Sequence, residues 1–431
     1  MRLAEGDLGS YPSGTLKSQQ INLNPPANPD TRFGELTKKV EIHQSIISTS
    51  GRQAKIEFMK ISRKTFVKGA ALGTLSLPLF LRGLMGDGQA QQNSGPNIIS
   101  GKKYEWKMVT TWPPNFPIIG EACKYFADRV EAMSNGRITI RVYGGGELVP
   151  ALEAFDAVRS GAAEISSGCA YYWAGKIPAA QFFGAVPFGM NAQQVTAWIM
   201  HGGGKELWEE LYRDYNAVPM LGGNTGVQMG GWFNKEINSI QDFKGLKMRI
   251  PGLGGKVFEK VGGTPVLLAG GEIYTGLERG VIDATEWLGP FHDAIMGFDE
   301  IAKYYYTPGW HETGSVLELA VNKKTYDELP ADLQAILQAA AVEMNNYCWL
   351  GMETKNAEQL ATFMEKGVDI RTFPQEVMDE LRVQTNIVVN ELADSDPFAR
   401  KVYDSYLDFS KKAAVYANIT EQVFYEKLQI M

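Results

Sequence analysis

Cysteine and histidine are scarce in this chain. Three cysteines (Cys123, Cys169, Cys348) and four histidines (His43, His201, His292, His311) are scattered over 431 residues. That excludes a disulfide framework and a zinc site, and the odd cysteine count favours buried free thiols. No segment is long and apolar enough for a transmembrane helix; the run from Gly69 to Leu81 falls short. No basic run with interleaved aromatics is present, so nucleic acid is a poor partner. Signatures of common enzyme classes are missing too. His201-Gly-Gly-Gly-Lys205 lacks the earlier glycine of a phosphate loop and continues with Glu206 instead of Ser or Thr. Gly252-x-Gly254 has Val257 where a dinucleotide fingerprint needs its third glycine. Neither a Gly-x-Ser-x-Gly elbow nor a His-Glu-x-x-His helix occurs.

What is present is 44% hydrophobic and 21% charged, the composition of a globular protein with an ample core. The first ninety residues differ. Residues 1–58 show no sustained periodicity, and Asn24-Pro-Pro-Ala-Asn-Pro29 reads as loop or disorder, so they are expected to be an upstream extension. Residues 59–90 have the layout of an export signal. Its parts are a basic head from Met59 to Lys68, an apolar run from Gly69 and small residues at Gly88-Gln-Ala90. Ser62-Arg-Lys-Thr-Phe-Val-Lys68 resembles a twin-arginine (Tat) signal with Lys64 for the second arginine, which leaves the Sec route open beside the Tat route. Without this segment, residues 91–431 carry 30 Lys and Arg against 42 Asp and Glu, a net charge of −12. Such an acidic chain again argues against nucleic acid.

From Tyr104 the pattern is regular. Strands are expected at 104–110, 138–143 and 163–167, with helices at about 120–133 and 151–160 between them. Strand–helix alternation of this kind predicts a parallel sheet with right-handed crossovers. Glu272 to Trp287 repeats the helix–Gly–acidic strand grammar of Leu152 to Ile165, which suggests two α/β lobes of like design. Gly222 to Trp232 is glycine-rich, as a hinge would be. Farther on come a strand at 316–321, helices at about 331–367 and 376–392, and a final helix from Asp396-Pro397. Val402, Tyr406, Phe409 and Ala413 line one face of that last helix, for packing on the parent domain or for a dimer contact.

Asp242-Phe-Lys-Gly-Leu-Lys-Met-Arg-Ile-Pro251 reads as a turn and a short strand that carries Arg249 to the carboxyl edge of a sheet. A loop at Gly252–Gly255 and a helix from Lys256 are expected next. Ligands bind at such edges, and a guanidinium matches a carboxylate. The same pattern also fits a surface arginine in a salt bridge. Gln228 lies in the glycine-rich loop, Glu286-Trp287 end a strand, and Glu312 closes Pro308-Gly-Trp-His-Glu312. One arginine, two glutamates and a glutamine at segment ends suit a small anion held together with a hard cation, which takes oxygen ligands.

Gln228-Met-Gly-Gly-Trp-Phe233, the Asp242–Pro251 segment, Val281-Ile-Asp-Ala-Thr-Glu-Trp287 and Pro308–Glu312 together resemble the substrate-binding proteins of tripartite ATP-independent periplasmic (TRAP) transporters, in particular the binders of 2-oxo acids and lactate. The resemblance runs from about Tyr104 to the C-terminus. It implies a two-lobed α/β periplasmic-binding-protein fold with an inter-lobe cleft, hinge strands and a long C-terminal helix. Lobe I is expected at 104–226 plus 314–355, lobe II at 227–313 plus 356–395, and the C-terminal helix at 396–431. The resemblance further implies that Arg249 clamps a small monocarboxylate. A sodium or calcium ion would bridge ligand and protein through Gln228, Glu286, Glu312 and the Trp287 segment. Asn224, Tyr171 and Trp112 are expected as pocket walls, and a homodimer and a sodium-coupled membrane permease as partners. No bond is expected to be made or broken. A ligand sensor for a signalling receptor and a metal-assisted enzyme acting on an oxo acid are the competing readings.

Overall fold

The computed structural model describes residues 101–428; the expected extension (1–58) and export signal (59–90) lie outside the described residues. The chain begins with β1 (Tyr104–Thr110), α1 (Ile119–Met133), β2 (Ile138–Tyr143), α2 (Ala154–Ser160) and β3 (Ile165–Gly168). Helices α3 (Ala192–His201) and α4 (Gly204–Arg213) lead to β4 (Ala217–Asn224). The second half opens with β5 (Gly231–Phe233), β6 (Lys247–Arg249), α5 (Gly252–Lys260) and β7 (Thr264–Val266). It continues with α6 (Ile273–Glu278), β8 (Ala284–Thr285), α7 (Pro290–Ile295), α8 (Phe298–Ile301) and β9 (Tyr304–Thr307). Finally come β10 (Val316–Asn322), α9 (Lys323–Asp327), α10 (Ala331–Glu365), β11 (Asp369–Thr372), α11 (Gln375–Ala393) and α12 (Pro397–Ile419).

These strands form two sheets, ordered β2-β1-β3-β10-β4 and β11-β9-β5-β8-β6-β7. Each has a parallel core, as expected: β1 pairs in parallel with β2 and β3, and β6 with β7 and β8. Neither sheet is wholly parallel, however. β10 runs antiparallel to β3 and β4, and β5 antiparallel to β8 and β9. The reason is connectivity. Strands that return from the opposite sheet enter without a helical crossover, and only a crossover enforces parallel pairing. The repeated helix–Gly–strand units occupy matching places. Gly161 after α2 and Gly280 after α6 both take the left-handed conformation (φ 80° and 68°) before β3 and β8.

The start of α5 departs from expectation. The helix begins at Gly252 rather than Lys256, and Pro251 precedes it. Four residues of which three are glycine favour a loop by propensity. Packing reverses that preference: a Cβ on Gly254 would stand 2.9 Å from His311 Cβ, and one on Gly255 2.6 Å from the Ile250 carbonyl. Only glycine lets this first turn press against the segment that carries His311 and Glu312.

Two connections between the sheets lie side by side. Thr225 N donates to Ser315 O (3.0 Å), Ser315 N to Thr225 Oγ1 (3.2 Å) and Gln228 N to Glu312 O (3.2 Å). A Cβ on Gly309 would meet Gln228 O at 2.1 Å, which shows how closely the two strands approach. Gln228 and Glu312 therefore sit on the paired crossings themselves.

Candidate functional site

The carboxyl ends of both sheets and the paired crossings converge on Arg249. It ends β6 and is 1% exposed. Its guanidinium is already engaged. Nη1 donates to the Glu286 carboxylate and to Glu286 O (3.4 Å), Nε to Leu268 O (3.3 Å), and Nη2 to Tyr172 Oη (3.2 Å). Five N–H groups are available, so one remains, on Nη2 beside the Tyr172 hydroxyl. Its ring neighbour is Trp287, 5.0 Å from the guanidinium carbon. Burial alone would lower the Arg249 pKa, but the Glu286 carboxylate and the Tyr172 and Tyr171 hydroxyls beside it more than offset this and raise it. The guanidinium stays charged.

Glu312 is the second buried carboxyl. Its Oε2 accepts from Gln228 Nε2 (2.7 Å), Tyr171 Oη (3.4 Å) and Ser315 Oγ. Burial, and then the Glu286 charge, push its pKa up to about 7; His311, Ser315 and Arg249 offset only part of this. Glu286 Oε2 is in turn 3.3 Å from His311 Nε2. The group thus gathers two carboxyls, one guanidinium and the His311 imidazole in a buried setting.

Four polar groups here are unmatched. Gln228 Oε1, Trp287 Nε1 and His311 Nδ1 are buried without a partner. Among the described residues no donor takes the Trp287 carbonyl either. An orphaned amide oxygen and an orphaned carbonyl beside two carboxyls form the donor set that a hard cation requires. Gln228, Glu286, Glu312 and the Trp287 carbonyl therefore fit such an ion. Among the described residues no three His, Cys, Asp or Glu side chains gather at a metal-binding spacing. Any cation here depends on the amide and backbone oxygens.

The expected residues are not all brought together. Arg249, Glu286, Trp287, Gln228, Glu312 and Tyr171 are. Trp112 is buried nearby in the first lobe, but its Nε1 donates to Ser167 Oγ (3.2 Å). Asn224 braces a crossing, accepting from Gly226 N (2.9 Å) and donating to Gly314 O (3.4 Å). Tyr172, part of the Tyr171-Tyr-Trp173 run that the sequence offers as a cleft wall, takes part, and so do residues not anticipated from sequence: His311 and Ser315 in the polar group, and Phe116 and His292 at its rim. Phe116, on the loop after β1, packs edge-on to Trp287 (6.2 Å between centroids) and stacks on His292 (5.2 Å). His292 Nε2 donates to Pro117 O (3.0 Å), and burial lowers its pKa to about 4, so the ring is neutral. These contacts tie the loop after β1 to α7 and the segment before it.

Sequence and structure comparisons agree with this geometry. Residues 108–396 match the bacterial extracellular solute-binding proteins, family 7 (DctP). A monocarboxylate 2-oxoacid-binding periplasmic protein of Nostoc sp. is 40% identical over 317 residues, 73% of this chain and 86% of that protein. A TRAP periplasmic solute-binding protein from Colwellia psychrerythraea, solved with bound calcium and pyruvate, superposes with a TM-score of 0.74 at 43% identity, over 75% of this chain and 99% of that one. One from Pseudoalteromonas atlantica, solved with sodium and pyruvate, gives the same score and identity over 76% and 100%. The chain belongs to family 7 of the bacterial extracellular solute-binding proteins, the DctP-type binding proteins of TRAP transporters.

Proposed function

We propose that this protein binds a small monocarboxylate 2-oxo acid, such as pyruvate, together with a metal cation, and delivers the acid to a sodium-coupled TRAP permease. It is a binding protein and not an enzyme. The observation that carries the reading is the buried Arg249–Glu286–Glu312 group, with one guanidinium N–H to spare and unmatched oxygens on Gln228 and Trp287. Arg249 Nη2 and the Tyr172 hydroxyl meet one carboxylate oxygen of the acid, and Trp287 Nε1 is a further donor. A bound sodium or calcium ion supplies the positive charge that two carboxyls and an organic acid otherwise lack. Gln228, Glu286, Glu312 and the Trp287 carbonyl hold it. Phe116 and Trp287 exclude water, which strengthens each charge-assisted contact. In this reading 104–226 with 314–355 forms one lobe and 227–313 with 356–395 the other, and the paired crossings hinge them. Closure follows the acid's higher affinity for the closed form.

A thermal-melt panel tests the reading. Pyruvate, 2-oxobutyrate, lactate, succinate and sialic acid are compared, each with sodium, calcium or chelator. The small monocarboxylates at about a hundred times Kd should add ~2.7 kcal/mol of stability. Chelator should remove that gain wherever calcium supports it. Equal shifts with and without any cation would overturn the metal-bridged reading, and no shift with any acid would overturn the ligand class.

Two further parts of the proposal concern partners and location. Residues 59–90 direct export to the periplasm, by the Tat-like route. The end of α12 exposes Val415 (63%), Tyr416 (65%) and Ile419 (71%), a face that a second copy of this chain would cover in a homodimer. Sedimentation should show a dimer for residues 91–431 and a monomer, still binding the acid, after removal of 414–431. A monomer in both cases would discard the dimer.

A further inference from the structure

The unmatched carbonyl of Trp287 raises the question of what aims it. The peptide joining Trp287 to Leu288 is trans, so its N–H and C=O point in opposite directions. The preceding carbonyl, Glu286 O, is held by Thr285 Oγ1 (2.8 Å) and Arg249 Nη1 (3.4 Å). Leu288 N donates to Asp293 Oδ1 (3.4 Å). The Trp287 carbonyl is thus turned away from Asp293.

Asp293 lies on α7 and is buried. Its other oxygen, Oδ2, accepts from Trp232 Nε1 (3.0 Å) and Tyr305 Oη (2.7 Å). Trp232 and Tyr305 are register partners in β5 and β9, and their rings stack at 4.1 Å. The sheet therefore presents a rigid pair of donors to one oxygen and so fixes the direction of the other. A buried carboxyl with no cationic side chain bonded to it is costly where packing alone is the task, since an apolar residue of similar size does that better. Its placement at the N–H end of one particular peptide gives it a use. A carboxyl acceptor held there orients the peptide, and with it the carbonyl on the far side, as partners behind metal ligands do.

We propose that Asp293 is a positioning residue that sets the Trp287 carbonyl for the cation. The inference rests on the reading that this carbonyl is a cation ligand. A purely structural Asp293, capping the start of α7, would affect folding stability and leave the affinity for the cation unchanged.

The test is a calcium titration of the full chain at saturating pyruvate, followed by tryptophan fluorescence. Asp293→Asn keeps the volume but leaves one oxygen for three donors, and should raise the calcium midpoint about 10- to 100-fold. Tyr305→Phe removes one of the two donors that fix the direction of this carboxyl, and should raise the midpoint as well, by less than Asp293→Asn does. Asp293→Asn with a lowered Tm and an unmoved midpoint overturns the proposal. A wild-type chain that binds pyruvate without any cation dependence sinks the underlying metal reading instead, so the two failures are distinguishable. A wild-type measurement covers the case in which Asp293→Asn does not fold. Labelling with carbonyl-¹³C tryptophan and ¹⁵N leucine marks two Trp–Leu peptides, Trp287–Leu288 and Trp349–Leu350. Calcium added with pyruvate should shift the Leu288 amide and leave the Leu350 amide in place. An unshifted Leu288 amide overturns the proposal.

Discussion

Replacing Arg249 with alanine is expected to abolish measurable acid binding and to destabilise the ligand-free protein by about 3–5 kcal/mol. The two effects have separate causes. Binding fails because the charged N–H beside Tyr172 is lost, and truncating one side of a buried hydrogen-bonded charge pair costs about 2–5 kcal/mol. That corresponds to an affinity loss of about 30- to 4,000-fold. Stability falls because the Glu286 carboxylate, left in a site that is 1% exposed, keeps only His311 Nε2 as a partner. The buried pair ties Arg249 to the fold as well as to the ligand. Arg249→Lys should fail at binding too. An ammonium cannot serve Leu268 O, two oxygens of Glu286 and Tyr172 Oη from one plane. Adding Glu286→Gln to Arg249→Ala should return most of the stability, since no charge is then buried unpaired, and none of the binding. Calorimetry and thermal melts on these variants separate the two effects. Wild-type affinity in a folded Arg249→Ala variant would remove the centre of the functional reading.

Strand β1, helix α10 and the helix–Gly–strand units were legible in the sequence because periodicity and caps are local signals. Arg249, Gln228, Glu286 and Glu312 stand out as well, since arginine, glutamate and glutamine at segment ends are conspicuous. Strand partners were not legible: whether β10 enters its sheet parallel or antiparallel depends on where the chain has been, not on Val316–Asn322 itself. Tyr172 illustrates a different limit. Residues 170–173 form a 3₁₀ turn, whose successive side chains point about 120° apart. Tyr171 therefore reaches Glu312, Tyr172 reaches Arg249, and Trp173 reaches Tyr212. A run of three aromatics gives no sign of which one faces the site. Asp293 is hidden similarly, because all three of its donors come from elsewhere in the chain: two from other strands and one from the turn before α7.

Lowering the pH from 8 to 6.5 is expected to stabilise the ligand-free protein while weakening its cation-dependent binding. Three buried carboxyls set the first slope. Burial raises Glu318 to about 8, with Tyr212 and Trp173 offsetting part of the shift. Burial likewise raises Asp293 to about 7, and burial with the Glu286 charge raises Glu312 to about 7. Each folded pKa lies above the unfolded value, so the folded form keeps a proton that the unfolded chain releases. That stability is fully present below the unfolded pKa and is lost as pH rises through 7 to 8. Each such carboxyl contributes about 1.4 kcal/mol per pH unit where only the folded form is protonated. His292 acts in the opposite sense. Its folded pKa is about 4, so its contribution is lost as pH falls from 6.5 toward 4, and the window above 6.5 is free of it. Binding slopes the other way because a cation needs Glu312 ionised. Below pH 7 that requirement weakens affinity by up to about tenfold per unit. The two slopes are separable in one experiment. Tm measured with chelator should rise from pH 8 to 6.5, while the added shift from calcium and pyruvate shrinks over the same range. Glu318→Gln should flatten the first trend and leave the second, since Glu318 bonds to Tyr212 within the first lobe and touches no site residue. A chelated protein whose Tm falls on acidification across this window would show that these carboxyls are ionised in the folded state, and would overturn both predicted slopes.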